Sequence, residues 1–513
     1  MENKSEMKLP NEPESFWIAS TPQIEHSSLM EDINVDVAIV GGGMVGITSA
    51  YLLKQEGLKV AIIEADRILR GTTGHTTAKI TSQHGLRYNK IKTNISEEVA
   101  KQYAQSNEYA IKFIHDLVDR KNIDCDFREQ SAYIYTNDDN YIKQIQDEAA
   151  TAASLGIKAS YVQETPLPFK VKAAVRFDGQ AQFHPRKYLL ALSREIDGDG
   201  CRIFEHTRAV DIEKDGDLYN VITSEGKKVS AKRVIVASHY PFYNFEGFYF
   251  ARIYTERSYV LAVKINGNYP GGMYINAENP TRSLRSQNLN DGSIVLISGE
   301  RHKTGQGIDM MTHYENLKNF AYETFDVEDI LYRWSTQDCM TLDDIPYVGL
   351  FTSKTPNLYI ATGFGKWGMT GSTVSALLLR DLIIKGKSPW QDVYSPSRTN
   401  IKASAKNFIV ENANVAGQLI SGKMQMLPQK LDIKPGEAKV IDSNGQKNGA
   451  YMDINGRLHL VDTTCTHLGC ELKWNSAEKT WDCPCHGSRF TYEGKIVEGP
   501  AVKPLKHIEK DIH

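Results

Sequence analysis

The stretch that most restricts the fold runs from Asp36 to Asp66, DVAIVGGGMVGITSAYLLKQEGLKVAIIEAD. Val37 to Val40 form a continuous apolar run, which suits a strand buried on both faces. Gly41, Gly43 and Gly46 follow at G-x-G-x-x-G spacing, then a helix with apolar Val45, Tyr51, Leu52 and Leu53. A second apolar run, Val60 to Ile63, ends at Glu64. Strand, glycine turn, helix and strand make a βαβ unit, so the chain begins a doubly wound α/β fold.

Within such a unit each glycine has its own reason. Gly41 permits the tight turn, Gly43 lets the backbone approach a pyrophosphate at the helix N-terminus, and Gly46 allows close helix–strand packing. Met44 and Val45 stand in the same turn. Glu64, about 20 residues on, is placed to accept hydrogen bonds from a ribose. The plainer alternative is a glycine turn with no ligand.

At 513 residues the chain is too long for one core. A net charge of -3 gives no reason to expect nucleic acid or an anionic membrane as partner. No apolar run reaches the roughly 18 residues of a membrane span. The polar N-terminus, MENKSEMKLPNEPESFW, lacks a secretion signal and a twin arginine, so a cytoplasmic location is expected. Residues from about 90 to 120 read as helical, and SAYIYT, SYVLAVKI and GSIVLISGE as strands of a mostly antiparallel region. VIVASHYP reads as another buried strand, and NLYIATGFGKWGMTG as a last strand entering a helix near Met369. A helix is expected between 396 and 426, and short strands with turns from 427.

Seven cysteines divide unevenly. Cys125, Cys201 and Cys339 are scattered, whereas Cys465, Cys470, Cys483 and Cys485 crowd near the C-terminus with His467 and His486. CTHLGC and CPCHGS place C-x-H and C-x-x-H about fifteen residues apart. Structural zinc or two disulfides are the alternatives. Zinc fingers, however, pair Cys with Cys and His with His, whereas here the two alternate within each element.

Over roughly the last 85 residues the sequence resembles the Rieske [2Fe–2S] family. The resemblance implies that Cys465 and Cys483 bind one iron, and His467 and His486 the other. It also implies a disulfide between Cys470 and Cys485, as in the cytochrome bc-type branch, lasting in a reducing cytosol only if packing shields it. Ser488 matches a serine that hydrogen-bonds cluster sulfur. Phe490 stands where a tyrosine is usual, which lowers the expected potential.

Residues from about 35 to 395 resemble the D-amino-acid-oxidase-like family of FAD-dependent oxidoreductases, which includes glycine and sarcosine oxidases. The resemblance rests on RGTTGHTTAK, QAQFHPRKYLLAL, VIVASHYP, WSTQDCMTLDDIPYVG and ATGFGKWGMTG. It favours FAD over NAD, which the glycine fingerprint alone would also suit. It implies that Ala65, Arg67, Thr72, Thr73, Thr76, Thr77, Ala78, Val210 and Ala237 lie against the cofactor, with Gly363, Lys366, Trp367, Gly368, Met369 and Thr370 at the flavin's pyrimidine edge. His75 matches a histidine that carries covalent flavin in dimethylglycine dehydrogenases, so a covalent link or simple packing is expected there.

The domains expected are an N-terminal extension (1–35), an oxidoreductase domain (36–395), a linker helix (396–426) and an all-β Rieske domain (427–513). Flavin-binding segments fall near 36–90, 175–240 and 335–395, and an inserted α+β substrate domain near 91–174 and 241–334.

The family's amino-acid oxidases hold the substrate carboxylate with an arginine, and Asp338 occupies that position here. Lys366 restores one positive charge nearby. A carboxylate substrate would be repelled by Asp338, so an amine or other cationic donor gains ground unless Asp338 pairs with a neighbouring cation. Arg252, Arg257, Arg282 and Arg285 read as solvated side chains or an anion site. The expected chemistry is hydride transfer from a small substrate to flavin. Electrons then pass singly through the cluster to an external protein or quinone. An oxygenase lacks its mononuclear iron site here, and a non-catalytic electron carrier or redox sensor is the remaining alternative.

Overall fold

The computed structural model describes residues 8–243, 246–289, 292–307, 309–424, 432–443 and 446–508. Parts of the expected linker and Rieske segments, at 425–431, 444–445 and 509–513, lie outside them.

The first sheet has eight strands. Five are parallel, in the order Leu358–Thr362, Lys228–Val236, Ile33–Val40, Val60–Ile63 and Arg202–Phe204. Val37 to Val40 are buried, as the unbroken apolar run requires. Helices Met44–Gln55 and Gly368–Lys385 pack together and are buried almost all round, which explains why neither shows an amphipathic stripe.

The second sheet has nine strands, antiparallel except where Met273–Asn276 runs parallel to Arg128–Thr136. It includes Lys79–Ile80, Ala173–Gln182 and the long strand Val327–Thr341, so the chain enters it from stretches that the sequence reading gave to the flavin-binding segments. Long-range pairing, not local pattern, decides that membership. The helix Glu97–Lys121 covers the expected helical stretch, with Ser96 capping Val99 N and Asn122 closing it in the left-handed conformation.

The C-terminal unit has a three-stranded sheet (Ala438–Ser443, Gln446–Met452, Leu458–Asp462) and a four-stranded sheet (Lys473–Asn475, Thr480–Asp482, Arg489–Thr491, Ile496–Glu498). The connecting helix, Ile401–Met424, touches both units. Val415 and Leu419 pack on the C-terminal core, while Glu411 pairs with Lys303 at 2.5 Å and Asn407 bonds Leu342 O.

Arg398 anchors the start of this connection. Its guanidinium grips both oxygens of Asp343 at 2.8 Å, with the Arg and Asp side chains 6% and 2% exposed. Removing one partner of such a buried pair leaves an uncompensated charge. Asp343→Ala is therefore expected to cost about 3–5 kcal/mol of unfolding free energy, measured by urea denaturation. A loss below about 1 kcal/mol would match an exposed pair instead.

Candidate active site and metal centre

A cavity of about 880 Å³ extends from the glycine turn to the C-terminal unit, near the top of the roughly 300–1,000 Å³ range of ligand sites. Among residues expected from the sequence, Gly41, Gly43, Met44, Val45, Glu64, Ala65, Arg67, Thr72, Thr73, His75, Thr76, Thr77, Ala237, Asp338, Lys366, Trp367, Gly368 and Met369 line it. Gly46, Ala78, Val210, Gly363 and Thr370 lie outside the lining. Their neighbours Ala209 and Phe364 belong to it.

At the turn, Gly41 has φ +113°, and a Cβ there would lie 2.4 Å from Ala237 O. A Cβ on Gly46 would meet Gly41 O at 1.9 Å, so its role is packing. Gly43 caps the helix without a side-chain bond, leaving N–H groups of the first turn open toward the cavity. Glu64 accepts from Gly42 N (2.8 Å) and Asp66 N (3.0 Å). Burial raises its pKa against those bonds.

The loop Gly71–Ala78 is clamped from outside. Ser15 Oγ donates to Gly74 O at 2.5 Å, Trp334 Nε1 to His75 O at 2.8 Å, and Trp17 Nε1 to Thr76 O at 2.6 Å. The N-terminal extension is thus part of the site, which no local signal foretold. His75 Nδ1 lies 2.9 Å from Gly71 O and donates to it, so Nε2 carries the lone pair. Burial lowers the His75 pKa and keeps the ring neutral.

Asp338 does pair with a cation. Lys366 Nζ lies 3.1 Å from Asp338, 3.3 Å from Glu256 and 2.9 Å from Ser258 Oγ. Burial opposes the charge of Lys366, but Asp338 and Glu256 outweigh it and hold its pKa above the usual lysine value. Lys79 also lines the cavity, donating to Ser283 Oγ. Burial, then Arg285, push its pKa down to about 7. The four arginines read as solvated or anion-binding are otherwise engaged. Arg257 and Arg285 are 1% and 0% exposed, Arg282 pairs with Glu300 at 2.6 Å, and Arg252 bonds Pro396 O.

In the C-terminal unit two loops meet. The thiols of Cys465 and Cys483 are hydrogen-bonded to each other, and the rings of His467 and His486 stand 5.1 Å apart at 87°. A disulfide joins Cys470 to Cys485, with Cα atoms 6.5 Å apart. Burial takes the pKa of His467 down to about 4 and, with His467 nearby, that of His486 down to about 3, so both imidazoles stay neutral as metal ligands must. His486 Nδ1 is buried with no hydrogen-bond partner. Two thiols, two neutral imidazoles and that orphan nitrogen suit a two-iron centre.

Residues 36–382 match the family of FAD dependent oxidoreductases, and residues 423–509 match the Rieske [2Fe-2S] domain. The chain belongs to the FAD dependent oxidoreductase family. YhfW of Bacillus subtilis (strain 168), named for a Rieske 2Fe-2S centre, is 46% identical over 97% of this chain and 98% of its own. Gamma-glutamylputrescine oxidoreductase of Escherichia coli (strain K12) is 25% identical over 44% of this chain and 54% of its own. Glycine oxidase from Geobacillus kaustophilus shares the fold, with TM-score 0.61 and 19% identity over 72% of this chain and 99% of its own.

This FAD oxidoreductase unit and its Rieske domain therefore share one cavity, because Glu478, Arg489, Tyr492 and Glu498 line it beside the flavin loop. Sequence reasoning missed Lys79, Arg208, His239 and Gln337, which line it too. Lys79 directly follows the quoted RGTTGHTTA run; the others carry no local signal. Gly41→Ala is expected to purify without flavin yet with full iron, because its Cβ clashes with Ala237 O far from the cluster loops. Absorbance and iron assay measure this, and full flavin content in the variant would contradict the placement.

Proposed function

We propose that this enzyme oxidises a small amine or amino-acid-like donor at a C–H bond next to nitrogen or oxygen. Its electrons leave one at a time through the Rieske centre to an external one-electron acceptor, a redox protein or a quinone. The observation that carries this reading is the shared cavity, lined by the glycine turn, the nine-stranded sheet and the Rieske domain. When bound, flavin supplies a two-electron acceptor and the cluster a one-electron outlet. Each donor loses a hydride and a proton, so each turnover consumes two equivalents of the one-electron acceptor.

The protein's own residues then have separate tasks. Gly41, Gly43 and the first turn of Met44–Gln55 receive the pyrophosphate, Glu64 the ribose, and the clamped loop from Thr72 to Thr77 the flavin. The helix Gly368–Lys385 has no side-chain cap, so its N-terminus offers positive potential where negative charge develops. Lys366 sits between Asp338 and Glu256, a trio carrying one net negative charge, which favours a cationic donor over a free carboxylate. The resemblance to an enzyme named for a polyamine conjugate supports this preference.

Lys79 is the wall residue suited to accept a proton. Its neutral form predominates above about pH 7, near the working range of a general base.

Anaerobic mixing with sarcosine, putrescine and lactate tests the reading, following flavin absorbance and the paramagnetic signal of the reduced cluster. Bleaching by an amine, followed by the cluster signal, is expected. Reduction by dithionite but by none of the donors would favour an electron carrier. With a working donor, the bleaching rate is expected to rise as pH increases through about 7, and Lys79→Met to lose that limb together with about 10²-fold or more in rate. An unchanged profile in Lys79→Met would remove Lys79 from this role.

A further inference from the structure

Gln337 reaches both sites. It is 1% exposed in the strand Val327–Thr341. Its carbonyl accepts from Thr72 Oγ1 (3.2 Å) in the flavin loop and from His239 Nε2 (2.9 Å). Its side-chain oxygen accepts from Thr304 Oγ1 at 2.8 Å, and its Nε2 donates to Gly487 O at 3.0 Å. Gly487 directly follows His486 in the cluster loop.

The seat around this contact is close enough to require glycine on both sides. A Cβ on Gly487, where φ is +77°, would lie 2.4 Å from Thr255 Oγ1 and 2.9 Å from Gln337 Oε1. A Cβ on Gly305, where φ is +67°, would lie 2.7 Å from Pro484 N and 2.9 Å from Cys483 C. Gln306 Nε2 donates to Pro484 O at 2.9 Å, and the Phe250 ring meets the His486 ring edge-on at 6.0 Å. Charge reinforces the seat. Arg257, 1% exposed, pairs at 3.3 Å with Glu498 of the Rieske domain, whose other partner is Arg489. Separating the units would leave Arg257 uncompensated, a strongly unfavourable outcome for a buried charge.

We propose that Gln337 is a positioning residue that locks the His486 loop at one distance from the flavin loop, so that the Rieske domain works docked rather than as a moving shuttle. The proposal rests on the two-centre reading above. Electron transfer weakens steeply with distance, so a fixed seat sets its rate, whereas a mobile domain would be limited by its own diffusion. The bond is directional and dry: the amide donates to a carbonyl, and no other side-chain donor to Gly487 O occurs among the described residues.

Gln337→Met tests this, since methionine keeps the length and apolar volume but has no N–H. The holoprotein is reduced at its flavin by a light flash, and arrival of the electron at the cluster is timed by absorbance. The expected result is a fall of about 10-fold or more, while flavin content, iron content, the cluster's paramagnetic spectrum and its midpoint potential stay at wild-type values. A structural collapse would move those four quantities; loss of positioning alone would not. A wild-type transfer rate in Gln337→Met with both centres intact would overturn the proposal. Should that variant fail to fold, Gly305→Ala carries the same decision, because it keeps the amide and pushes against Pro484. Wild-type protein lacking flavin or cluster would instead overturn the two-centre reading.

Discussion

A buried amide must satisfy both its oxygen and its nitrogen, and Gln337 does so across two domains. The strand that carries it does the same work at neighbouring positions. Arg333 holds Pro10 O and Asn11 O of the N-terminal extension and Ala477 O of the Rieske domain. Trp334 clamps the loop at His75 O, and Asp338 holds Lys366. Because side chains alternate along a strand, one extended segment reaches the flavin loop on one side and the cluster loops on the other.

This arrangement explains why the cavity has mixed ownership. An oxidoreductase unit alone would leave Arg257 and the mouth beside Glu478 and Glu498 open to water. With the Rieske domain seated, those charges face partners, and the site is closed by the domain expected to receive its electrons. Water exclusion strengthens every polar interaction inside, including the Lys366 trio. The same burial that fixes the units together therefore also shapes the chemistry between them.

The parts legible in the sequence are the ones whose physics is local. The glycine turn, its flanking apolar runs and Glu64 lie within one βαβ unit, and both cluster loops show their ligands in short motifs. Long-range partners were illegible. Gln337 and Gly487 are 150 positions apart and Arg257 and Glu498 are 241 apart, and a polar residue in a strand looks the same whether it faces water or another domain. That is why Arg257 and Arg285 read as solvated or anion-binding, although both are buried. Asp338 was legible as a departure from the family, but the meaning of that departure depended on Lys366 and Glu256, which only the fold brings beside it. Among the described residues no helix is long and apolar enough to cross a membrane, as the apolar-run count implied.

One fixed geometry between the two units is the claim on which the account stands. The unpaired cysteines Cys125, Cys201 and Cys339 are buried, so a nitroxide on Glu225→Cys, at an exposed turn of the oxidoreductase unit, labels one place. Pulsed dipolar spectroscopy between that nitroxide and the reduced cluster in frozen holoprotein measures their separation. A single narrow distance is predicted. A broad or two-peaked distribution would contradict the docked arrangement.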